Sequence, residues 1–271
     1  MERSPIRRLG GKHAQAPFIV SRIPPHRIYV EPFAGAAAVF FRKGRLDIPG
    51  YREVLNDLDE GIYSFFKALR EHPETLAARL AMTPFSRREA RAAIIREGDD
   101  EMARAVKTAV ALYQTFAGKT NLGGKPAGWS FGRQSQDHPV RWSRVPEQIL
   151  GAAARLKEVY LDCLDFERCI RLWDTPQTFF FVDPPYVGCE AFYPPTFTPD
   201  DHQRLARALN SIKGRALVTY YDNDLVRKLY RKWRIEVRQV TSRATRSRSG
   251  QLLPRRSEVY LMNYDAGGER L

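Results

Sequence analysis

The residues best suited to chemistry are Asp183-Pro184-Pro185-Tyr186, directly after the apolar run Thr178 to Val182. Such a run reads as a strand buried on both faces of a parallel sheet. Ligands of open α/β sheets bind beyond the carboxyl ends of these strands. Two prolines fix φ and hold the residue before each of them extended. Asp183 therefore presents its carboxylate from a rigid position, and the Pro184 carbonyl offers a second acceptor beside it. Two fixed acceptors suit an aromatic amino group such as that of adenine. Each takes one hydrogen, the nitrogen is drawn toward tetrahedral geometry, and its lone pair becomes free to attack an electrophilic methyl in line. Tyr186 offers a ring for the base to stack on, a contact worth about 1–3 kcal/mol. An ordinary proline turn after a strand would need none of these groups.

Three further groups of residues have chemical potential. Tyr29-Val30-Glu31-Pro32-Phe33-Ala34-Gly35-Ala36-Ala37 reads as a strand, a turn of small residues and a helix start. The turn lets a ligand approach the backbone, and the helix start offers free N–H groups. A tight connection with small residues for packing gives the same pattern. Asp57 stands where an acid after the second strand could take ribose hydroxyls. Gly10-Gly11-Lys12 is a short basic segment near the start. Asp165-Phe166 follows a short strand signal at Val159. This pair could meet an adenine ring, or could be a helix cap and a core aromatic.

Composition narrows the partners. Lys and Arg number 44 against 31 Asp and Glu, giving a net charge of +13 and a pI near 9.9. An excess of this size suggests a polyanion, and nucleic acid is the common one. The stretch from Arg227 to Arg256 carries 11 basic residues against one acid, Glu236. Cys163, Cys169 and Cys189 form no C-x-x-C pair, and the five histidines are scattered. Neither a disulfide nor a bound metal is expected, and a reducing cytoplasm fits. There is no apolar run of about eighteen residues, the length that would suggest a membrane span. Met1 to Pro17 lacks the apolar core of a secretory signal.

The elements that must position these groups follow from periodicity. Strand, small loop, helix, strand and helix, with Asp59 capping the second helix, open a doubly wound α/β domain. Pro73 to Phe116 reads as three helices in succession, and Gly118 to Pro146 as a long loop rich in Gly, Arg and aromatics, of a kind that is often functional. After Pro146 the α/β rhythm resumes. Ile235 to Val240 and Glu258 to Met262 read as an antiparallel pair at the sheet edge. The predicted organisation is one α/β domain, residues 1–72 and 147–265, interrupted by an insertion over 73–146.

These signals, in this order, resemble the Dam-type or D12-class DNA adenine-N6 methyltransferases, from Gly10 to Tyr264. The family carries an N-terminal G-G-K, an E-P-F-x-G-x-G loop, an acid after the second strand, a recognition segment of helices and a hairpin, and then D-P-P-Y. Here these read Gly10-Gly11-Lys12, Glu31-Pro32-Phe33-Ala34-Gly35-Ala36-Ala37, Asp57 and Asp183-Pro184-Pro185-Tyr186. Phe131-Gly132-Arg133 is similar to a motif that ends the recognition hairpin. Ala37 stands where the family often has Gly, and Arg8 where it often has Trp. The hairpin, often Y-G-Y-N-G in GATC-specific members, is Phe116-Ala117-Gly118-Lys119-Thr120-Asn121, so that target is not carried over.

The resemblance implies a Rossmann-like S-adenosylmethionine-dependent methyltransferase sheet with an inserted, mainly helical target-recognition domain. It implies methyl transfer from S-adenosyl-L-methionine to the N6 amino group of a flipped adenine in double-stranded DNA. Arg8, Lys12, Glu31, Phe33, Gly35, Asp57, Asp165, Phe166 and Asp183 would form the cofactor site, and Asp183, Pro184, Pro185 and Tyr186 the catalytic one. Phosphates would be held by Arg133, Arg141, Arg144, Arg243, Arg246 and Arg248. Base edges would be read by Lys119, Asn121, Lys125 or Gln134, since such side chains pair well with purine edges. A monomer in the cytoplasm of a bacterial or phage-infected cell is expected.

Methylation of a cytosine N4 or an RNA adenine uses a similar tetrapeptide, often with Ser or Asn first, and a non-catalytic DNA-binding homologue would keep the fold. Asp183 favours adenine in DNA, and a mere scaffold would not need all four residues. No cysteine follows a proline, which disfavours methylation of a cytosine carbon. The incomplete glycine pattern disfavours a nicotinamide oxidoreductase. Methyl transfer from a sulfonium needs no metal, so methylation should persist in excess chelator; its loss there would contradict the assignment.

Overall fold

The computed structural model describes residues 4–6, 11–95, 98–115, 121–122, 125–126, 128–130, 137–190, 197–241 and 255–265. The sheet follows from short runs of apolar and β-branched residues. In chain order these are β1 (Ile28–Glu31), β2 (Arg52–Asn56), β5 (Val159–Asp162), β6 (Thr178–Val182), β7 (Arg215–Tyr221), β8 (Arg234–Thr241) and β9 (Arg255–Met262). Among the described residues they form one seven-stranded sheet in the order β5-β2-β1-β6-β7-β9-β8. The strands from β5 to β7 are parallel, with Val30 opposite both Val54 and Phe180, and Phe180 opposite Ala216. β9 runs antiparallel between β7 and β8. Within the parallel part, the chain order across the sheet is third, second, first, fourth, fifth. This is the doubly wound, Rossmann-like α/β arrangement, and its direction switches between β1 and β6.

Side chains alternate across the strands, so each face has its own core. Tyr29, Leu55, Phe179, Phe181, Leu217 and Tyr260 point to one. Val30, Val54, Phe180, Val182, Val218 and Leu261 point to the other. The second face is covered by α9 (Phe166–Trp173), α10 (Pro199–Asn210) and α11 (Asp224–Leu229). The first is covered by α1 (Ala16–Val20), α2 (Ala38–Lys43) and α3 (Glu60–Glu71), the last capped by the Asp59 carboxylate.

Between β2 and β5 lie α4 (Pro73–Met82), α5 (Arg87–Ala92), α6 (Glu101–Gln114), a hairpin of β3 (Asn121–Leu122) and β4 (Lys125–Pro126), α7 (Asp137–Ser143) and α8 (Val145–Ala153). α6 packs on α3, and α4 on α8. Leu76, Ala105, Val145 and Ile149 are buried in the same cluster that backs the first face of the sheet. The stretch read as a loop up to Pro146 contains α7. Trp142 is buried there and donates its indole N–H to the Thr83 carbonyl at 2.7 Å, a tertiary contact with no local signal. No helix among the described residues is long and apolar enough to cross a membrane.

β2 is held by a buried ion cluster. Glu53 is fully buried, and Arg155 donates to its two oxygens at 2.5 and 2.6 Å. The Lys43 ammonium also pairs with it, and Tyr51 donates at 3.3 Å. Burial pushes the Glu53 carboxyl up, but the bonds from Arg155 and the charge of Lys43 outweigh it and hold it below the usual carboxylate range. Its contribution is therefore present above the unfolded value and lost as pH falls through the folded one. Removing one partner of a buried pair leaves an uncompensated charge. Arg155→Met should thus destabilise the fold by about 3 kcal/mol at neutral pH, as read from urea unfolding. A loss below about 1 kcal/mol, the worth of an exposed pair, would contradict this account.

Candidate active site

The cleft opens at the switch point, beyond the carboxyl ends of β1, β2 and β6, as the topology requires. Its floor is the turn between β1 and α2. Gly35 and Ala37 both have positive φ, 49° and 50°. The left-handed region costs an L-alanine roughly 1–2 kcal/mol, so Ala37 carries local strain at the position where a Gly would be free of it. The turn is pinned from β2. The Gly35 N–H donates to Asp57 Oδ2 at 2.8 Å, and the Ala34 N–H to the Asn56 carbonyl at 2.8 Å. The Asn56 amide donates to the carbonyls of Pro32 and Leu164 at 2.9 and 3.0 Å, and its oxygen accepts from the Leu164 N–H at 2.8 Å. One buried side chain thereby fastens the loops after β1 and β5 together.

One end of the cleft is aromatic. Phe33, Phe166 and Phe197 all line it, with ring centroids 5.5 to 5.9 Å apart. Asp57 and Asp59 line it at the end of β2. Asp165 does not line it. Asp165 caps α9 by accepting from the Glu167 N–H at 3.0 Å and pairs with Arg204, whose guanidinium lies 4.2 Å from the Phe166 ring centre. Of the two readings of Asp165-Phe166, the structure gives the cap to Asp165 and a place in the cleft to Phe166.

The other end is charged. Asp183, directly after β6, keeps 20% of its side chain exposed and lines the cleft with Lys12 and Pro185. The Lys12 ammonium is 5% exposed and lies 2.7 Å from Asp183 Oδ1 and 2.8 Å from Oδ2. The Thr219 hydroxyl donates to Oδ1 at 2.6 Å. Burial pushes the Asp183 carboxyl up, and Lys12 and Thr219 partly offset this. No described residue donates to the Pro184 carbonyl. Tyr186 is 8% exposed. Its hydroxyl donates to Glu258 at 2.5 Å, and its ring packs against those of Tyr220 and Tyr221 at 5.6 and 4.6 Å.

The cleft thus brings Lys12, Glu31, Phe33, Gly35, Asp57, Phe166, Asp183 and Pro185 together. Arg141 on α7 and Arg144 directly after it are exposed. Asn121 and Lys125 stand on the β3–β4 hairpin, where Leu122 pairs with Lys125 and Asn121 with Pro126. Arg8, Lys119, Arg133, Gln134, Arg243, Arg246 and Arg248 lie outside the described residues. Sequence reasoning missed Asn56, Phe197, Thr219, Glu258 and Tyr260. Glu258 had left a signal, as the lone acid in the apolar run to Met262. Among the described residues, no group of three or more His, Cys, Asp or Glu is placed to hold a metal ion.

A protein-family model described as D12 class N6 adenine-specific DNA methyltransferase matches residues 9–244. No curated protein matches significantly. Among solved structures, a SAM-dependent O-methyltransferase from Thermotoga maritima is similar, with a TM-score of 0.41 and 8% identity, over 94% of this chain and 67% of that one.

Glu31 is the acid at the floor of the cleft. It is 1% exposed, and its Oε1 accepts from the Tyr29 hydroxyl at 2.6 Å and the Phe40 N–H at 2.8 Å. Burial pushes its carboxyl up to about 8, against the pull of those two donors and Lys43. Between its ordinary value near 4.5 and about 8, the folded protein holds a proton that the unfolded chain has released. Stability from this group is therefore full below that window and falls as pH rises through it. Glutamine has the shape of the protonated acid and still accepts both bonds. Glu31→Gln should flatten the fall in melting temperature between pH 5 and pH 8.5, with a gain over the parent of about a few kcal/mol at the upper end. Parallel melting curves for the two proteins would refute this.

Proposed function

We propose that this chain, which belongs to the D12 class of N6 adenine-specific DNA methyltransferases, methylates an adenine turned out of the stack of double-stranded DNA. S-adenosylmethionine is its methyl donor. One observation carries the reading: Asp183, held by Lys12 and Thr219 directly after β6, lines the cleft together with Lys12 and Pro185. The groups present fit the donor. The rings of Phe33, Phe166 and Phe197 suit its adenine, Asp57 and Asp59 suit ribose hydroxyls, and the acid at the other end suits a cation.

S-adenosylmethionine supplies a methyl group on a positively charged sulfur, and the residues of the chain do the rest. Asp183 and the Pro184 carbonyl each take one hydrogen of the amino group and orient its lone pair. As the nitrogen–carbon bond forms, the carbon–sulfur bond breaks and its electron pair stays on sulfur. Asp183 then takes one proton from the methylated nitrogen and releases it to water. Preorganised acceptors of this kind stabilise the positive charge that develops on the amine. Tyr186 meets the extruded base, whose unstacking costs a few kcal/mol.

Residues 73–146 are the target-recognition segment. Arg133, Arg141, Arg144, Arg243, Arg246 and Arg248 contact phosphates, which supply salt-dependent affinity without sequence information. Lys119, Asn121, Lys125 and Gln134 are the candidates for reading base edges.

The test is methylation of unmethylated duplex DNA with methyl-labelled S-adenosylmethionine, then digestion and mass spectrometry of the nucleosides. Label should appear in N6-methyladenine and fall by at least about 10²-fold in Asp183→Ala. Label in cytosine, or only with RNA, would overturn the substrate. No label despite tight DNA binding would indicate a non-catalytic protein.

A further inference from the structure

Glu258 stands behind the cleft, on the reversed strand β9, opposite Tyr221. It is 2% exposed, and its carboxylate accepts from the hydroxyls of Tyr186 and Tyr260, each at 2.5 Å. Burial pushes both phenols well above their usual range, so they stay protonated and act as donors. The Lys12 ammonium lies 3.5 Å from Glu258 and 2.7 Å from Asp183. Among the described residues, one cation and two carboxylates therefore share this buried cluster, an excess of one negative charge. Without Glu258, Lys12 would cancel Asp183 and the cluster would be neutral.

That difference matters for a ligand that changes charge. The methyl donor carries a positive sulfur, and the demethylated product is a neutral thioether. Burying an ion is costly unless it is compensated, and a tyrosine ring could be held by a neutral acceptor. A second buried acid has a use where charge itself is used. We propose that Glu258 sets the net negative charge of the Lys12–Asp183 cluster and thereby makes the cleft favour the sulfonium donor over its neutral product. This rests on the function proposed above. Glu258 acts through Lys12 and Tyr186, and is in this sense a positioning residue. The effect spans the methyl transfer, because the positive charge is shared by sulfur, carbon and nitrogen as one bond breaks and the other forms. It ends when the methylated nitrogen gives up its proton.

The test is calorimetric titration of the full chain with S-adenosylmethionine and, separately, with S-adenosylhomocysteine at pH 8. Removing one charge within a few ångströms of the cluster should matter even at a high effective dielectric constant. Glu258→Gln should weaken the donor about tenfold while the product stays within about twofold. Tyr260→Phe, which removes one hydrogen bond and no charge, should leave the ratio as it is. A purely structural role would weaken both ligands alike, and that result would overturn the proposal. If Glu258→Gln does not fold, Lys12→Gln reads the same quantity with the opposite sign. Its more negative cluster should shift the ratio toward the donor, and no shift or the reverse overturns the proposal. Wild-type protein that binds neither ligand would overturn the choice of donor as well. Binding of both with an unchanged ratio in Glu258→Gln overturns this inference alone.

Discussion

The contact between the Lys12 ammonium and the Asp183 carboxylate is the interaction on which the charged end of the cleft depends. Its participants come from four separate places. Lys12 precedes α1, Asp183 follows β6, Thr219 lies on β7, and Glu258 lies on β9. A buried charge is tolerated only when it is paired and hydrogen-bonded. The cluster therefore forms only when all four elements are in register. It makes the reversed strand β9 part of the site, although that strand contributes no residue to the cleft lining.

The same device appears at the start of β2. Glu53 gathers Arg155, Lys43 and Tyr51 around one buried carboxylate, and so joins β2 to α2 and to the turn after α8. Asn56, at the other end of the same strand, joins the loops after β1 and β5 with neutral hydrogen bonds. One five-residue strand thus carries a structural ion cluster at one end and a loop fastener at the other. The apolar residues between them pack alternately into the two cores. The helices between β2 and β5 share the first of those cores. The Tyr113 hydroxyl on α6 also donates to the Pro5 carbonyl at 2.8 Å, which ties them to the segment that precedes Lys12.

Local costs concentrate where the cleft is built. Ala37 holds a left-handed backbone, Glu31 is an acid without water, and Asp183 is partly buried. Strain and unfavourable burial persist at such places because the surrounding structure over-determines them. Here that structure is a parallel sheet covered on both faces.

Local sequence determined much of this protein by itself. The apolar run Thr178 to Val182 read as a doubly buried strand, and the prolines at 184 and 185 fixed the backbone around Asp183 at its end. The small residues from Ala34 to Ala37 announced a close backbone turn, and Asp59 a helix cap. Each of these is set within a few residues along the chain, by sterics or by short-range hydrogen bonds. Tertiary structure alone decided the rest. On α7, Trp142 is buried with its indole on the Thr83 carbonyl, a partner far away in sequence. Asp165 caps α9 and meets Arg204, so only Phe166 of that pair reaches the cleft. Thr219, Asn56 and Phe197 carried no local mark, and Glu258 was visible only as an acid in an apolar strand. The physical reason is the same in each case. A buried polar group is defined by partners far away in sequence, and no local pattern records which partner a fold will bring to it.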